Sequence, residues 1–147
     1  MKSATLPGGE PIPVVGLGTW EFGGGMSPDR SRDQEAVLIL QHALDIGYAH
    51  LDTAEMYGGG HTEELIGQAL RGRDREKVII TTKVSPAHLS YRDVFTSLEN
   101  SLRHLQTNYI DLYLIHWLSS RIPLQESFQA LNEAVQRFWI GGKGDVS

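Results

Sequence analysis

Residues 51–60 read LDTAEMYGGG. The stretch begins as the end of an apolar strand, places a carboxylate at Asp52 and a phenol at Tyr57, and continues into three glycines. Glycines leave the backbone free to turn, so the pattern is typical of a strand that runs into a loop. Polar side chains at such strand ends are where α/β proteins build their sites.

Two later stretches end in the same way. Residues 78–82, VIITT, are followed by Lys83, and residues 110–115, IDLYLI, are followed by His116. Side chains alternate between the two faces of a strand, and the carboxyl ends of parallel strands share one edge. We therefore expect Lys83, His116 and Asp52 to face one interior.

Strands and helices alternate along the whole chain. A short hairpin over residues 4–13 is followed by predicted strands at 14–19, 48–53, 78–83 and 109–117, with an amphipathic helix after each. This repeat is typical of a parallel sheet with right-handed crossovers. Four units are too few for a closed (β/α)₈ barrel, which needs about 250 residues. An open doubly wound sheet fits the length, although residues 16–21, GLGTWE, lack the third glycine of a dinucleotide-binding loop.

The predicted helices carry capping signals. Ser31 with Gln34 and Ser90 with Asp93 resemble capping boxes, and Thr62 is expected to cap the second helix. In the fourth helix we expect three apolar side chains to point inward: Phe128, Leu131 and Val135.

Composition excludes several classes of function. The chain has 147 residues, a net charge of −5 and no cysteine, which excludes disulfides, Cys-ligated zinc, iron–sulfur clusters and a thiol nucleophile. No metal site is predicted. No basic stripe suits nucleic acid, and no apolar run suits a membrane span or a signal peptide, so we expect one domain in the cytoplasm.

Each polar residue has a simpler interpretation when taken alone. Asp52 is compatible with a turn cap, Tyr57 with a surface aromatic, Lys83 with a solvated lysine and His116 with a core histidine. Together they indicate acid catalysis, because an ammonium group beside a phenol favours the phenolate and makes the phenol a stronger acid. No side chain delivers hydride, so a reduction requires a nicotinamide cofactor.

The motifs, in this order and spacing, resemble the aldo-keto reductase family. They are GLGTW at 16–20, DTA at 52–54 with YG at 57–58, TK at 82–83, DLY at 111–113 and IHW at 115–117. The resemblance covers residues 6–137 and implies the N-terminal half of a (β/α)₈ TIM barrel, closed at the bottom by the hairpin. It also implies NADPH on the rim and reduction of small-molecule aldehydes or ketones. NADH in place of NADPH, and the particular carbonyl substrate, remain open.

The resemblance implies a role for each residue. Tyr57 is the expected proton donor, Lys83 the cation that makes it more acidic, Asp52 the anchor of Lys83, and His116 the group that orients the carbonyl. The residues implied for cofactor binding are Gly18, Thr19, Trp20 and Asp52. Those implied for substrate binding are Trp20, Tyr57, His116 and Trp117.

The chain departs from the family pattern after the fourth helix. Residues 1–137 form the expected half-barrel, and residues 138–147, FWIGGKGDVS, are expected to be an irregular tail. Two functional hypotheses follow. The chain is a carbonyl reductase that depends on a second half, or it is a non-catalytic fragment. In either case we expect self-association, because the strands at 14–19 and 109–117 would each leave an open sheet edge.

Overall fold

The computed structural model describes residues 2–137 and 139–141. An antiparallel hairpin opens the chain, with strands β1 (Ser3–Thr5) and β2 (Pro11–Pro13), as the sequence predicted. Four strands follow it: β3 (Leu17–Gly18), β4 (His50–Asp52), β5 (Ile79–Val84) and β6 (Leu112–Ile115). Each is followed by a helix: α1 (Asp33–Asp45), α2 (His61–Ala69), α3 (Tyr91–Leu105) and α4 (Leu124–Gln136).

The four later strands form one parallel sheet in the order β3-β4-β5-β6. In its register Asp52 lies beside Gly18 on one side and Thr81 on the other, and Lys83 lies beside Leu114. The chain therefore has the predicted α/β fold of four consecutive βα units.

The hydrophobic core lies between the sheet and the helices. Leu51, Ile80 and Val84 are fully buried on the helix side of the sheet, where they belong to one cluster with Leu65 and Leu98 of the helices. The alternate side chains of the same strands occupy the opposite face, on which Asp52 and Lys83 are only partly buried. The polar strand ends thus lie on the open face of the sheet.

An ion pair fixes β6 against β5 at the amino end of the sheet. The guanidinium of Arg75 lies 2.7 Å from a carboxylate oxygen of Asp111, and the same oxygen accepts a hydrogen bond of 2.9 Å from the amide of Ile80. Arg75 also donates to the carbonyl of Tyr109 at 3.1 Å. Asp111 thus positions the strand that ends at His116.

The two edges of the sheet differ from expectation. The strand expected over 14–19 is restricted to β3, and Val14 and Val15 are exposed. At the opposite edge Ile110 has a partner, since its amide donates to the carbonyl of Trp139 at 2.9 Å and its carbonyl accepts from Gly141 at 2.7 Å. The expectation of a fully open edge there is wrong at this residue. The other tail residues, 138 and 142–147, lie outside the described residues.

Two of the three predicted caps are absent. Helix α1 begins after Arg32 without a side-chain cap, and the amide of Ser31 donates to the side chain of Asp29. Thr62 lies inside α2 and donates its hydroxyl to the carbonyl of Phe22. The cap at Ser90 is confirmed: its hydroxyl oxygen accepts from the amide of Asp93 at 3.2 Å.

Helix α4 is rotated relative to the prediction. Phe128 and Val135 are about half exposed, whereas the small residues Ser127, Ala130 and Ala134 are buried. The Ser127 hydroxyl donates to the carbonyl of Leu89 at 2.6 Å, a close approach that small side chains permit. Phe128 and Val135 therefore face outward, whereas Leu131 is partly buried and packs against the core as predicted.

Candidate active site

The end of β4 is joined to β5 by an ion pair. The Lys83 ammonium lies 2.9 and 3.0 Å from the two carboxylate oxygens of Asp52, and 2.8 Å from the carbonyl oxygen of Thr53. An ammonium group has three protons, so these contacts use its full donor capacity. The Lys83 side chain is 14% exposed and that of Asp52 is 38% exposed. The pair is thus held by three hydrogen bonds and is only partly solvated.

A turn of unusual backbone conformation presents Tyr57. The glycines that follow it, Gly58, Gly59 and Gly60, all have positive φ, which other residues rarely adopt. A Cβ atom at Gly58 would lie 2.7 Å from the carbonyl oxygen of Gly23, so a side chain would collide with the neighbouring loop. The glycine run seen in the sequence is therefore required by the turn that places Tyr57 over the end of β5.

Tyr57 lies beside both Lys83 and His116. The Lys83 ammonium is 5.3 Å from the centre of the Tyr57 ring, and the His116 ring centre is 5.8 Å from it, with the two rings edge to face. Within the described residues no hydrogen bond joins Lys83 to the Tyr57 hydroxyl, because the ammonium is engaged by Asp52 and Thr53. The four residues predicted from the strand ends thus form one cluster.

His116 follows β6 directly, and its amide donates to the carbonyl of Val84 at 3.0 Å. Burial lowers the pKa of His116, and the positive charge of Lys83 lowers it further. Among the described residues, its Nδ1 atom is buried without a hydrogen-bond partner. Its ring stacks in parallel on Trp117, with centres 4.0 Å apart. The imidazole is therefore neutral at neutral pH, with its plane fixed by the indole.

The residues predicted to bind the cofactor lie next to this cluster. Trp20 packs edge to face on Tyr57 with ring centres 4.9 Å apart, and it is about half exposed. Gly18 has open space where a Cβ atom would be. Thr19 is fully buried, and its hydroxyl donates to the carbonyl of Asp52 at 2.9 Å. Its side chain thus supports the backbone of Asp52.

Sequence reasoning missed a histidine on the same face of the sheet. His50 lies two residues before Asp52 on β4, and its Nε2 atom is 2.9 Å from the hydroxyl of Thr81. Burial lowers the pKa of His50. Side-chain alternation puts His50 on the same face as Asp52, but nothing in the local sequence indicates its partner Thr81.

Two carboxylates behind the Tyr57 turn were also missed. Glu63, in the first turn of α2, is fully buried and accepts from the Thr82 hydroxyl at 2.7 Å. Glu55 accepts from the amide of Ser85 at 2.6 Å and lies 2.9 Å from Nδ1 of His88. Both carboxylates connect the turn to the end of β5.

Two further properties of the described part of the chain bear on function. It contains no cluster of three or more His, Cys, Asp or Glu side chains suited to hold a metal ion. It also contains no helix with the length and apolar character needed to cross a bilayer.

The sequence matches the model of the Aldo/keto reductase family over residues 14–146. The chain belongs to the aldo-keto reductase family. The match covers every strand of the parallel sheet and all four residues of the cluster. The resemblance inferred from five short motifs is thereby confirmed.

Individual aldo-keto reductases are similar over about half of their length. Methylglyoxal reductase YeaE of Escherichia coli (strain K12) is 37% identical over 134 residues, which are 91% of this chain and 45% of that protein. The crystal structure of the thermostable aldo-keto reductase Tm1743, in complex with the inhibitor epalrestat, matches at 52% identity and a TM-score of 0.93, covering 95% of this chain and 52% of the other. A Klebsiella pneumoniae aldo-keto reductase in complex with NADPH matches at 39% identity and a TM-score of 0.83, covering 95% and 48%.

Proposed function

We propose that this chain provides the catalytic half of an NADPH-dependent reductase of small aldehydes or ketones, with Tyr57 as the proton donor. The observation that carries the proposal is the cluster in which the Asp52–Lys83 ion pair, the Tyr57 ring and the His116 imidazole meet at the ends of three adjacent strands. The relatives named methylglyoxal reductase and the neighbour that binds NADPH support the reaction class.

The ion pair sets the electrostatics of the cluster. Asp52 neutralises Lys83 in part and holds it in one position, so that its remaining positive field acts on Tyr57 from 5.3 Å. A fixed cation favours the phenolate that remains after the proton has left. Tyr57 would therefore transfer its hydroxyl proton to the oxygen of the substrate carbonyl.

His116 would orient that oxygen. Because its pKa is lowered, its ring is neutral at neutral pH and keeps one N–H that can donate a hydrogen bond to a carbonyl. Trp117 holds the ring plane by stacking. Trp20 and Trp117, both about half exposed or more, would give the substrate an apolar wall on either side of Tyr57.

The residues present fit the nicotinamide end of NADPH. Gly18 leaves open space, Trp20 offers an exposed aromatic surface, and the buried Nδ1 of His116 lacks a partner among the described residues. Gly18, Trp20 and Asp52 would hold the cofactor here, and the fully buried Thr19 would support Asp52 from behind. When bound, NADPH supplies the hydride that this chain has no group to provide.

A chimeric enzyme tests the proposal. Residues 1–137 of this chain are joined to the C-terminal half of the thermostable reductase, which shares 52% identity with this chain. We expect the chimera to oxidise NADPH in the presence of an aldehyde, and Lys83→Met to lower turnover while thermal unfolding stays cooperative. A folded chimera without activity, or a Lys83→Met chimera with full activity, contradicts the proposal.

The outward apolar faces of the first and last helices favour a second function. In this function the chain is a non-catalytic module that associates with a second copy. Phe128 and Val135 of α4, Leu38 of α1 and Ile46 directly after α1 are exposed by 49–61%. These helices flank opposite edges of the sheet, β6 and β3. A two-fold arrangement would therefore place α4 of one copy against α1 of the other. This function would be favoured if the 147-residue chain forms a dimer and the chimera shows no NADPH-dependent activity.

A further inference from the structure

His61 lies at the junction of three parts of the molecule. It is the first residue of α2, directly after the glycine turn, and its side chain is 1% exposed. Its ring packs against Gly23, where a Cβ atom would lie 2.8 Å from the ring carbon Cδ2. The loop of residues 20–32, which carries Trp20, thus passes directly over the ring.

Both ring nitrogens of His61 face carboxylates. Nε2 lies 2.7 Å from a carboxylate oxygen of Asp33 in α1, and Nδ1 lies 2.7 Å from one of Glu64 in α2. Ionised carboxylates only accept hydrogen bonds, so both nitrogens need a proton to satisfy these contacts. The carboxylates reach solvent, with 29% and 36% of their side chains exposed. Bonds of this length are typical of charge-assisted pairs.

Further charged groups surround the ring. The hydrogen bond from His61 is the main reason that the pKa of Glu64 lies below its usual range, and Arg30 of the loop also pairs with Glu64 at 3.3 Å. Asp29 has a pKa lowered chiefly by hydrogen bonds from Ser31, with a smaller contribution from the charge of His61. The charged groups around the ring are thus the carboxylates of Asp33 and Glu64, which contact it, and the carboxylate of Asp29 nearby. Arg30 lies beyond them and pairs with Glu64.

We propose that His61 is a doubly protonated imidazolium that latches the loop of residues 20–32 onto α2 and so keeps Trp20 against Tyr57. The latch joins Asp33, the residue directly after the loop, to α2, the helix that follows the Tyr57 turn. Two more bonds tie the loop to the same segment: the Thr62 hydroxyl donates to the Phe22 carbonyl, and the Gly58 amide donates to the Gly25 carbonyl at 2.6 Å.

The latch depends on both ring protons. Loss of one ring proton removes one hydrogen bond and leaves a nitrogen lone pair facing a carboxylate oxygen at 2.7 Å. The loop is therefore held when both ring nitrogens carry a proton. The consequence for catalysis rests on the proposed function, because it acts through Trp20 beside Tyr57, but the latch itself is testable on the 147-residue chain without cofactor.

The protonation state is measured by NMR. Protein labelled with ¹⁵N-histidine gives long-range proton–nitrogen spectra that distinguish an imidazolium from either neutral tautomer. We expect one histidine to be doubly protonated at neutral pH and to be absent from the spectrum of His61→Gln. A neutral ring for His61 at neutral pH overturns the proposal.

The hold on the loop is measured by trypsin cleavage after Arg30, at a single neutral pH, with cleavage after the exposed Arg121 as internal reference. We expect His61→Gln to raise the ratio of the two cleavage rates several-fold, and the matched variant of an exposed α1 residue, His42→Gln, to leave it unchanged. If His61→Gln does not fold, Asp33→Asn is expected to raise the same ratio. Equal ratios in the folded variants and the parent overturn the latch.

Discussion

Lys83 gives all three of its ammonium protons to β4 and the residue after it, two of them to Asp52 at 2.9 and 3.0 Å, and keeps none for Tyr57. In the proposed function the cation acts on the phenol through its field, and Asp52 fixes the position from which it acts. The ion pair would then have both a structural and an electrostatic role.

The structural role predicts a loss of stability in Asp52→Asn. The amide leaves the largely buried Lys83 ammonium without its counter-ion, and we expect the free energy of unfolding to fall by about 1–2 kcal/mol, since Asp52 is partly solvated. Urea unfolding measures the change. The matched control is Asp45→Asn, which removes an exposed pair with Arg73 and is expected to cost less than about 0.5 kcal/mol. Equal losses in the two variants would show that the Asp52–Lys83 pair contributes no more than the exposed Asp45–Arg73 pair.

Stability is expected to fall on mild acidification. Burial lowers the pKa of both His50 and His116 in the folded chain, so below about pH 6.5 the unfolded chain binds protons that the folded chain resists. The stability that these rings contribute is thus present above that pH and is lost as the pH falls. We expect the urea midpoint to drop between about pH 7.5 and about pH 5.5.

The control variants identify the source of this pH dependence. His50→Gln should flatten the curve, whereas His42→Gln, a change at an exposed position, should leave it as in the parent. A curve with the same slope in both variants would assign the effect to other groups.

The isolated 147-residue chain is expected to bind NADPH weakly. It spans about half the length of its structural neighbours, including the one that binds NADPH, and each missing hydrogen bond to a charged group costs about 1.5–3 kcal/mol. Two or three such losses weaken binding by several orders of magnitude. Calorimetry on the chain, with the chimera as the reference, measures this. A dissociation constant in the micromolar range or below would be inconsistent with the expectation.

The chain is expected to self-associate through its outer helices. Phe128→Glu places a charge in the exposed stripe of α4 and should shift the chain toward monomer in light scattering behind a sizing column. Gln125→Glu adds the same charge on a more polar part of the helix and should not. A parent chain that stays monomeric at tens of micromolar concentration would rule out the association.

Much of this arrangement follows from local sequence. Strand alternation and shared strand ends predict that Asp52, Lys83 and His116 lie together, because both rules depend only on backbone geometry. The cap at Ser90 is also local, since donor and acceptor are three residues apart. Such features are readable without knowledge of the tertiary fold.

The features that were missed depend on partners far along the chain. Thr62 does not cap α2 because its hydroxyl binds Phe22, 40 residues away, and His61 binds Asp33, 28 residues away. Helix α4 has two candidate faces, and close packing selects the small one at Ser127 rather than the bulky one at Phe128. Propensity and periodicity do not distinguish between such alternatives, because tertiary contacts decide them.

The central claim is that Tyr57 is the proton donor, and Tyr57→Phe in the chimera tests it most directly. Removal of one hydroxyl should lower turnover of an aldehyde by about 10²–10⁴-fold, the usual contribution of general acid catalysis, while the dissociation constant for NADPH stays nearly the same. Tyr48→Phe, which removes a hydroxyl away from the cluster, should retain the parent rate. A Tyr57→Phe enzyme that turns over as fast as its parent would contradict the account.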